Sequence, residues 1–480
     1  MDAIFNSSLA AGTLVILFLA LLVACAFEFI NGFHDTANAV ATVIYTKSLK
    51  PVPSVVWSGI WNFIGVFMGG IAVAIGIINL LPVDLLVASG IGAGLSMVMA
   101  LLLSAAIWNL GTWYFGIPAS SSHTLIGAIL GVGIANSMLP GNVFGSGVNW
   151  NKAGEIGLSL LVSPLVGFSL AAGLLLLAKI VLDKNPELFK APEGETPPPF
   201  WVRALLILTC TGVSFAHGSN DGQKGVGLIM LILIGILPAS FALNLDSTPA
   251  QTAEAVLAAE QIELMLQDNS QTFVQPVSTG AQNLSVIALI QKELSEVRGY
   301  LKGISSLRDL PEDKRFEVRK RILLADNQLS KLQKEEKLKL SPESATLLKT
   351  YRAQLRSMTD YAPVWVLVAV ALSLGIGTMV GWKRIVVTVG EKIGKAHLTY
   401  AQGAAAELVA ASTIGIAAAS GLPVSTTHVL SSGVAGTMVA QKSGVQLDIV
   451  KKIALAWVLT LPVCVVLSGG LFLLFRMIAG

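Results

Sequence analysis

The chain has 480 residues, of which 54% are hydrophobic and 13% charged, and its formal net charge is only +3. This composition indicates a polytopic membrane protein and excludes an ordinary soluble domain. A charge this small, with no basic stripe, argues against a nucleic-acid partner and leaves the lipid bilayer as the expected surroundings.

Runs of about 20 apolar residues, the length that crosses a hydrocarbon core, recur along the chain. We predict spans at 10–34, 54–80, 85–115, 154–182, 203–243, 363–382, 400–420 and 452–478. Shorter apolar pieces at 118–136 and 423–440 are typical of hairpins or half-helices. The residues before the first span lack the basic region of a cleaved signal peptide, so we expect that span to stay in the protein.

One region interrupts the apolar pattern. Residues 245–361 hold 16 of the 32 Lys and Arg and 16 of the 29 Asp and Glu. Mixed charge with helical periodicity, as in "EVRKRILLADNQLSKLQKEEKLKL", is typical of a solvated helix face. We therefore predict a polar, partly helical insertion between two spans, in which "QDNSQTFVQPVSTGAQN" (267–283) is a loop.

The insertion separates two copies of a pair of motifs. The segment "NGFHDTANAV" (31–40) matches "HGSNDGQKGV" (217–226), and "GIPASSSHTL" (116–125) matches "GLPVSTTHVL" (421–430). Each member of the first pair carries one Asp. Each member of the second pair carries a Pro, a run of hydroxyl residues and a His.

The spacing of these motifs favours one duplication over two coincidences. Asp35 precedes His123 by 88 residues, Asp221 precedes His428 by 207, and the difference of 119 is close to the length of the insertion. Internal repeats with short apolar segments broken by Gly and Pro indicate a secondary transporter and mark its binding site.

Lys and Arg in short loops predict the orientation. Placing the charges of "TKSLK" (46–50), "DKNPELFK" (183–190) and "WKR" (382–384) inside gives an outside amino terminus, an inverted second half and an outside insertion. The predicted fold is therefore an all-α polytopic membrane protein of two inverted repeats, with discontinuous helices, re-entrant hairpins and about 10–12 membrane segments. Its expected divisions are a first repeat (1–182), an inter-repeat loop (183–202), the start of the second repeat (203–244), the insertion (245–361) and the remainder of the second repeat (362–480).

Asp35 and Asp221 are the leading candidates for chemistry, because ionisable side chains inside a membrane are costly and mark a site or pathway by default. A carboxylate in low dielectric can hold a metal cation or bind a proton. The alternative is that each Asp caps a broken helix, but matching positions in both halves favour a site. On this interpretation residues 30–40 belong to a broken helix that faces a cavity.

The two motifs that contain Pro favour an anion. Pro suits the first turn of a helix, and Ser or Thr before it caps free N–H groups. Such a hairpin tip offers N–H groups, hydroxyls and the positive end of a helix dipole to an oxyanion. Neither motif contains Arg, so co-bound cations would have to balance the anion's charge. The alternative, hydroxyls that bond back to a helix turn, is common in membrane helices.

Four of the five histidines and one lysine lie in these motifs. We expect His123 and His428 to orient the hairpin loops, and His34 to take up protons near neutral pH. Lys224, three residues after Asp221, most simply neutralises that carboxylate. Supporting positions around the site are also expected for Asn31, His217 and Gln223.

At these residues the chain resembles the inorganic phosphate transporter (PiT) family, and within it the bacterial low-affinity phosphate transporters. The resemblance covers nearly the whole chain apart from parts of the insertion. It implies a phosphate symporter of the bacterial inner membrane, not an enzyme and without a cofactor, whose two inverted repeats meet at one central site. It leaves homo-oligomerisation open.

The family motif reads Gly-Ala-Asn-Asp-Val-Ala-Asn, and its Asp and Asn residues contact cations. The resemblance thus implies coupling residues for cations or protons at Asp35, Asn38, Asn220 and Asp221, joined here by His34 and Lys224. A divalent metal is expected on Asp35 and Asp221. The family's phosphate contacts come from the hydroxyl run after Pro, which here is Ser120, Ser121, Ser122, Ser425, Thr426 and Thr427.

Two positions depart from the family motif. His34 stands in place of the first Asn, and Lys224 stands in place of the last Asn of the second copy. A fixed ammonium at a cation position argues against sodium and favours protons. The bacterial branch is similar in being associated with protons and metal–phosphate complexes, so the predicted function is proton-driven import of phosphate as a neutral metal–phosphate complex.

Three other functions compete with this prediction. Sodium-coupled phosphate symport is the main alternative. A membrane-embedded phosphatase or phosphotransferase would need an asymmetric nucleophile and base, whereas the reactive groups here come in symmetric pairs. An anion channel would not accumulate phosphate against a gradient.

Overall fold

The computed structural model describes residues 4, 10–80, 90–192, 194, 196–269, 276–279, 282–334, 338 and 340–479. Most of the segment before the first predicted span, the beginning of the predicted span 85–115 and the centre of the predicted loop 267–283 lie outside these residues. The described residues form two compact units, one made of 10–236 with 362–479 and the other of 237–361 with residue 4.

The helices are numbered in chain order. Before the second unit lie α1 Ala11–Tyr45, α2 Pro51–Met68, α3 Ala72–Ile78, α4 Gly90–Tyr114, α5 Ser121–Ser137, α6 Trp150–Val181 and α7 Phe200–Ile236. The second unit contains α8 Pro238–Phe241, α9 Pro249–Asn269, strands β1 Pro276–Thr279 and β2 Gln282–Ser285, α10 Val286–Leu301, α11 Glu312–Lys334 and α12 Pro342–Arg356. After it come α13 Val364–Met379, α14 Lys383–Val387, α15 Tyr400–Ala419, α16 Thr426–Gln441 and α17 Leu447–Ala479.

The first unit contains the helices that can span a membrane. Seven of the described helices are long and apolar enough to cross one: α1, α2, α4, α6, α7, α15 and α17. Helix α13 and the helical segment Lys383–Lys392, bent by 56° against it, count as an eighth span when taken together. The predicted all-α membrane class is confirmed. The shorter helices α5 and α16 lie where the sequence predicts hairpins or half-helices.

Both Asp motifs lie in unbroken helices, so the predicted break at residues 30–40 is wrong. Helix α1 runs without interruption through this stretch, and α7 runs through its counterpart. The polar side chains form hydrogen bonds with neighbouring helices, so the backbone hydrogen bonds of α1 and α7 remain intact. Thr36, for example, donates from Oγ1 to the carbonyl oxygen of Gly32 at 2.6 Å and to that of Thr378 on α13 at 2.9 Å.

The chain breaks instead between α2 and α3, within the stretch predicted as one span at 54–80. Gln223 of α7 bridges this break. Its Nε2 donates to the carbonyl oxygen of Gly69 at 2.6 Å, and its Oε1 accepts the N–H of Val73 at 2.7 Å. The side chain satisfies backbone groups that lose their helical partners at the break, as is required in a membrane interior.

Helices α2 and α7 approach closely through two glycines. A Cβ added at Gly65 would lie 2.9 Å from the nitrogen of Ser219, and one added at Gly218 would lie 2.8 Å from the carbonyl carbon of Asn62. Small residues of this kind let membrane helices pack backbone to backbone. The contact fixes α7 beside α2 at the level of the second Asp motif.

The second unit closes on itself. The N–H of Asn244, near its beginning, donates to the carbonyl oxygen of Met358, near its end, at 2.8 Å. Buried Arg319 of α11 donates to the carbonyl oxygens of Ala242 at 3.1 Å and Thr359 at 2.8 Å. Burial lowers the pKa of Arg319 to about 10, so it still carries its charge at neutral pH. These bonds hold the two ends of the unit side by side.

Candidate functional site

The two aspartates of the repeated motif lie at one buried point. Asp35 on α1 and Asp221 on α7 are both almost fully buried. The hydroxyl of Ser121, at the start of α5, donates to Oδ2 of Asp35 at 3.2 Å and to Oδ2 of Asp221 at 3.5 Å. The structure therefore brings together two carboxylates and a hydroxyl that are far apart along the chain.

His217 lies between the same two carboxylates. Its Nε2 is 3.6 Å from Oδ2 of Asp35 and 3.5 Å from Oδ2 of Asp221. Its other ring nitrogen, Nδ1, is 2.8 Å from Oδ1 of Asn62 on α2, which fixes the ring orientation. The sequence predicts only a supporting position for His217, whereas the structure places it at the centre.

The second hydroxyl run also bonds to Asp35. Thr427, at the start of α16, donates to Oδ1 of Asp35, and Thr426 donates to Oδ2 at 3.4 Å. Asn38 adds its Nδ2, 3.1 Å from Oδ1 of the same carboxylate and 3.3 Å from the hydroxyl of Thr427. Asp35 thus accepts hydrogen bonds from the tips of both hairpins.

The two hairpin tips have the same backbone geometry. Gly116 and Gly421 turn the chain with φ of +66° and +68°, values that favour glycine, and a Pro follows each two residues later. Ser120 and Ser425 are the N-caps of α5 and α16, and their Oγ atoms accept the N–H three residues on at 3.2 and 3.1 Å. Both helix N-termini, the positive ends of their dipoles, begin beside the buried carboxylates.

Lys224 joins the second Asp motif to both hairpins. Its buried Nζ donates to Oδ1 of Asp221 at 2.7 Å, to Oγ of Ser122 at 2.5 Å and to the carbonyl oxygen of Val424 at 2.9 Å. Ser122 in turn donates to the same carbonyl at 2.8 Å. All three ammonium protons are therefore used, two of them on the hairpins.

The remaining motif residues flank this centre. His34 lies with Nδ1 3.9 Å from Oδ1 of Asp35 and Nε2 3.2 Å from the hydroxyl of Thr112. Asn220 donates from Nδ2 to the carbonyl oxygen of Leu422 at 3.1 Å and so steadies the second tip. Gln223 forms hydrogen bonds with backbone groups at the break between α2 and α3, and Asn31 donates to Glu28 of the same helix, α1.

The rings of the two hairpin histidines contact each other at a tilt of 35°. The ring centroids of His123 and His428 are 4.6 Å apart, and His428 stacks on Trp457 of α17 at 4.0 Å. Trp457 donates from Nε1 to the carbonyl oxygen of Pro118 at 3.1 Å. This aromatic column ties the second tip to the first.

Three side chains of the site have the arrangement of metal ligands. Asp35, His217 and Asp221 each offer one ligand atom, and these atoms lie within 4.8 Å of one another. Carboxylate oxygens with an imidazole suit divalent transition ions such as manganese or zinc. The Asn62 contact orients the imidazole as an outer-sphere partner does.

Comparison with known proteins identifies the family. Residues 31–468 match the model of the phosphate transporter family. The low-affinity inorganic phosphate transporter PitA of Escherichia coli (strain K12) is 45% identical, over 95% of this chain and 96% of the relative. The chain belongs to the phosphate transporter family. The family predicted from the motifs is therefore confirmed.

A further relative and a solved structure are also similar to the chain. A low-affinity inorganic phosphate transporter of Buchnera aphidicola subsp. Acyrthosiphon pisum is 43% identical over 95% of this chain and 96% of the relative. A solved structure described as the sodium-dependent phosphate transporter has a TM-score of 0.58 with 17% identity, covering 97% of this chain and all of that one. At that identity the likeness concerns the fold alone. The relatives are named as transporters, in agreement with the prediction that the chain is not an enzyme.

Two buried carboxylates lie outside the site residues predicted from the sequence. Glu407 of α15 accepts hydrogen bonds from Thr42 of α1 and, at 2.5 Å, from Thr209 of α7. Glu28 of α1 lies two turns before Asp35 and is fully buried. The signal was present, because both residues are ionisable and lie inside predicted apolar spans. Neither falls in a repeated motif, and so neither was selected.

Proposed function

We propose that this chain imports inorganic phosphate across a bacterial inner membrane by symport with protons, and that phosphate crosses as a neutral complex with a divalent metal. One observation carries the proposal. Asp35 and Asp221 meet at one buried point, and hydroxyls from both hairpin tips converge on that point. A site with cation ligands on one side and anion donors on the other suits a cation–anion pair.

The two halves of the chain supply equivalent parts of this site, and we propose that they are inverted repeats. Each half gives one long helix with a central Asp and one hairpin whose Ser-capped helix follows a glycine turn. The matched cap geometry and the matched motif order support a common origin. Alternating access in such transporters is largely a movement of one repeat against the other around a fixed site.

The anion would bind between the two hairpin tips. Helix N-termini and hydroxyl donors favour an oxyanion, and Lys224 supplies one fixed positive charge. The proposed phosphate contacts are those predicted from the sequence: Ser120, Ser121, Ser122, Ser425, Thr426 and Thr427. Several of these hydroxyls donate to Asp35, and they would turn from the carboxylate to the phosphate oxygens when the complex binds.

The metal would bind Asp35 and Asp221, with His217 as a third ligand. The formal charges of Asp35, Asp221 and Lys224 leave one net negative charge when the imidazoles are neutral. A phosphate dianion alone would add two more charges in a low-dielectric site, which is unfavourable. A divalent cation brought with the phosphate cancels those two charges, so the complex can enter without further compensation.

Protons rather than sodium would supply the driving force. Sodium needs oxygen ligands, whereas Lys224 offers only donors and a positive charge beside Asp221. Sodium coupling is the second candidate, and one observation favours it: the hydroxyl oxygen of Thr427 lies against Asp35, and Oδ1 of neighbouring Asn38 is buried with no hydrogen-bond partner among the described residues. A cation site of that kind would involve the first Asp motif alone.

The test is double-label uptake by the purified protein in liposomes, with labelled phosphate and a labelled divalent metal counted together. We expect both labels to accumulate in a fixed ratio and a metal chelator to abolish uptake of both. Phosphate uptake that is unaffected by the chelator would refute the metal–phosphate substrate. Release of phosphate from esters by the same preparation would instead favour a phosphatase.

A further inference from the structure

Glu28 is a buried carboxylate with almost no hydrogen-bonding partner. One oxygen, Oε2, accepts a single long bond of 3.3 Å from Nδ2 of Asn31. The other, Oε1, is buried and has no hydrogen-bond partner among the described residues. An ionised carboxylate in this position would lack nearly all the compensation that water gives it. The geometry therefore suits the neutral acid.

The carboxyl group packs against the helix that carries Lys224. A Cβ added at Gly225 would lie 2.5 Å from Cδ and 2.7 Å from Oε1 of Glu28, so the two touch directly. Glu28, on α1, interacts electrostatically with three residues of α7, namely Asp221, Lys224 and His217. It does not form an ion pair with Lys224, whose three protons are directed elsewhere.

Other elements around Glu28 contribute little charge. On α1 itself, Cys25 lies one turn away and its thiol contacts Ser373 of α13. The described residues of α2, α4 and α13, which also pack against α1, include no acidic or basic side chain. Glu407 and the segment after α14 meet the opposite end of α1, at Thr42 and Tyr45, and Arg384 of α14 lies over the rings of Trp113 and Tyr114 on α4. The charge of Glu28 therefore interacts mainly with the charged and titratable residues of α7.

Glu28 has no counterpart in the second half of the chain. Seven residues before Asp221, the matching position holds Ser214, which donates ordinary hydrogen bonds to Ser58 at 2.9 Å and to the carbonyl of Cys210 at 2.8 Å. The two aspartates and the hydroxyl runs of the proposed metal and phosphate site occur in both halves. This carboxyl group was instead added to one half only.

We propose that Glu28 is the proton-binding site of this transporter, separate from the site where metal and phosphate bind. The carboxylate takes a proton from hydronium on the acid side, forming the acid and releasing water. On the other side it returns the proton to water. While Glu28 is protonated, the Lys224 ammonium keeps its hydrogen bonds to Asp221 and to the two hairpin tips. The ionised carboxylate attracts that ammonium and weakens its hydrogen bonds to the tips. Binding of the proton is thereby coupled to the position of the hairpins.

This inference rests on the proposed proton-coupled transport, and the test separates the two. Glu28→Gln in the full-length protein, reconstituted in sodium-free liposomes, should keep phosphate–phosphate exchange at equal pH. It should lose the stimulation of net uptake by an acid exterior, which for one coupled proton is at most about tenfold in accumulation per pH unit. Glu28→Asp, which keeps a carboxyl group, should retain the stimulation with a shifted pH profile. Ser214→Ala, the matched position, should behave as the unmodified protein.

The outcomes are distinct. Phosphate uptake by the unmodified protein without any response to the pH gradient would refute proton coupling itself. A full response in Glu28→Gln would overturn the assignment of Glu28 alone, and so would loss of exchange in a folded Glu28→Gln protein. If Glu28→Gln does not fold, an unchanged pH profile in Glu28→Asp would overturn it. Infrared difference spectra give a second readout, because a carboxylic-acid carbonyl band should vanish in Glu28→Gln.

Discussion

Lys224 donates a hydrogen bond to the hydroxyl of Ser122 at 2.5 Å, so a charged residue of α7 holds the tip of the first hairpin. The same ammonium is bonded to Asp221 and to the second tip. A change in the charge balance around Asp221 is therefore transmitted to both hairpins through one side chain.

Replacing this lysine should change the coupling ion. In Lys224→Asn the fixed positive charge is lost and an amide oxygen is added beside Asp221. We expect proton-driven accumulation to disappear or to become dependent on sodium, measured as phosphate uptake with each gradient imposed separately. Unchanged proton-driven uptake would show that Lys224 does not act as a surrogate cation.

The two aspartates should each be essential for accumulation. Asp35→Asn and Asp221→Asn keep the size of the side chain but remove the charge that would hold a cation. We expect each variant to lose accumulation while it remains folded in the membrane, as judged by detergent-solubilised size and thermal unfolding. Glu155→Gln, which removes a half-exposed carboxylate of α6 paired with Lys152 at 3.2 Å, is the matched control. Near-normal uptake by either Asp variant would make that residue a structural one.

The hydroxyl runs should contribute to the affinity for phosphate. Ser121→Ala combined with Thr426→Ala removes one hydroxyl from each tip, and each lost hydrogen bond to a charged group costs about 1.5–3 kcal/mol. The half-saturation concentration for phosphate should therefore rise at least about tenfold, since 1.36 kcal/mol is a factor of ten. Ser146→Ala, in the exposed loop after α5, is a control. An unchanged half-saturation concentration would count against the hydroxyl assignment.

The second unit should be dispensable for transport chemistry. Its beginning and end are joined by the bond between Asn244 and Met358, so a short linker can span the gap. We expect replacement of residues 247–358 by a short flexible linker to leave measurable phosphate uptake. Complete loss of uptake in a variant that still inserts and folds would show that the membrane residues do not suffice.

The long apolar runs were sufficient to predict the all-α membrane class, and the repeated motifs predicted the family and the residues that the structure places together. Their repetition is a property of the sequence that needs no knowledge of contacts. The continuity of α1 was not predictable in this way, because the partners of Asp35 and Thr36, the hydroxyl of Thr427 on α16 and the carbonyl oxygen of Thr378 on α13, lie hundreds of residues away. Local polarity alone suggested a broken helix.

The central position of His217 was missed for the same reason. Its role depends on the distance between two helices, which the sequence does not contain. Glu28 and Glu407 were missed because attention to repeats excludes residues present in one half only. A search for every ionisable side chain in the apolar spans would have found both.

Accumulation of labelled phosphate in sodium-free liposomes with an acid exterior tests the central claim most directly. The protein is reconstituted with divalent metal present, and internal phosphate is compared with that in liposomes held at equal pH inside and out. Proton-coupled symport predicts accumulation above the external concentration that collapses when a protonophore is added. Uptake that requires sodium and ignores the pH gradient would contradict the account and assign the site around Asp35 to sodium.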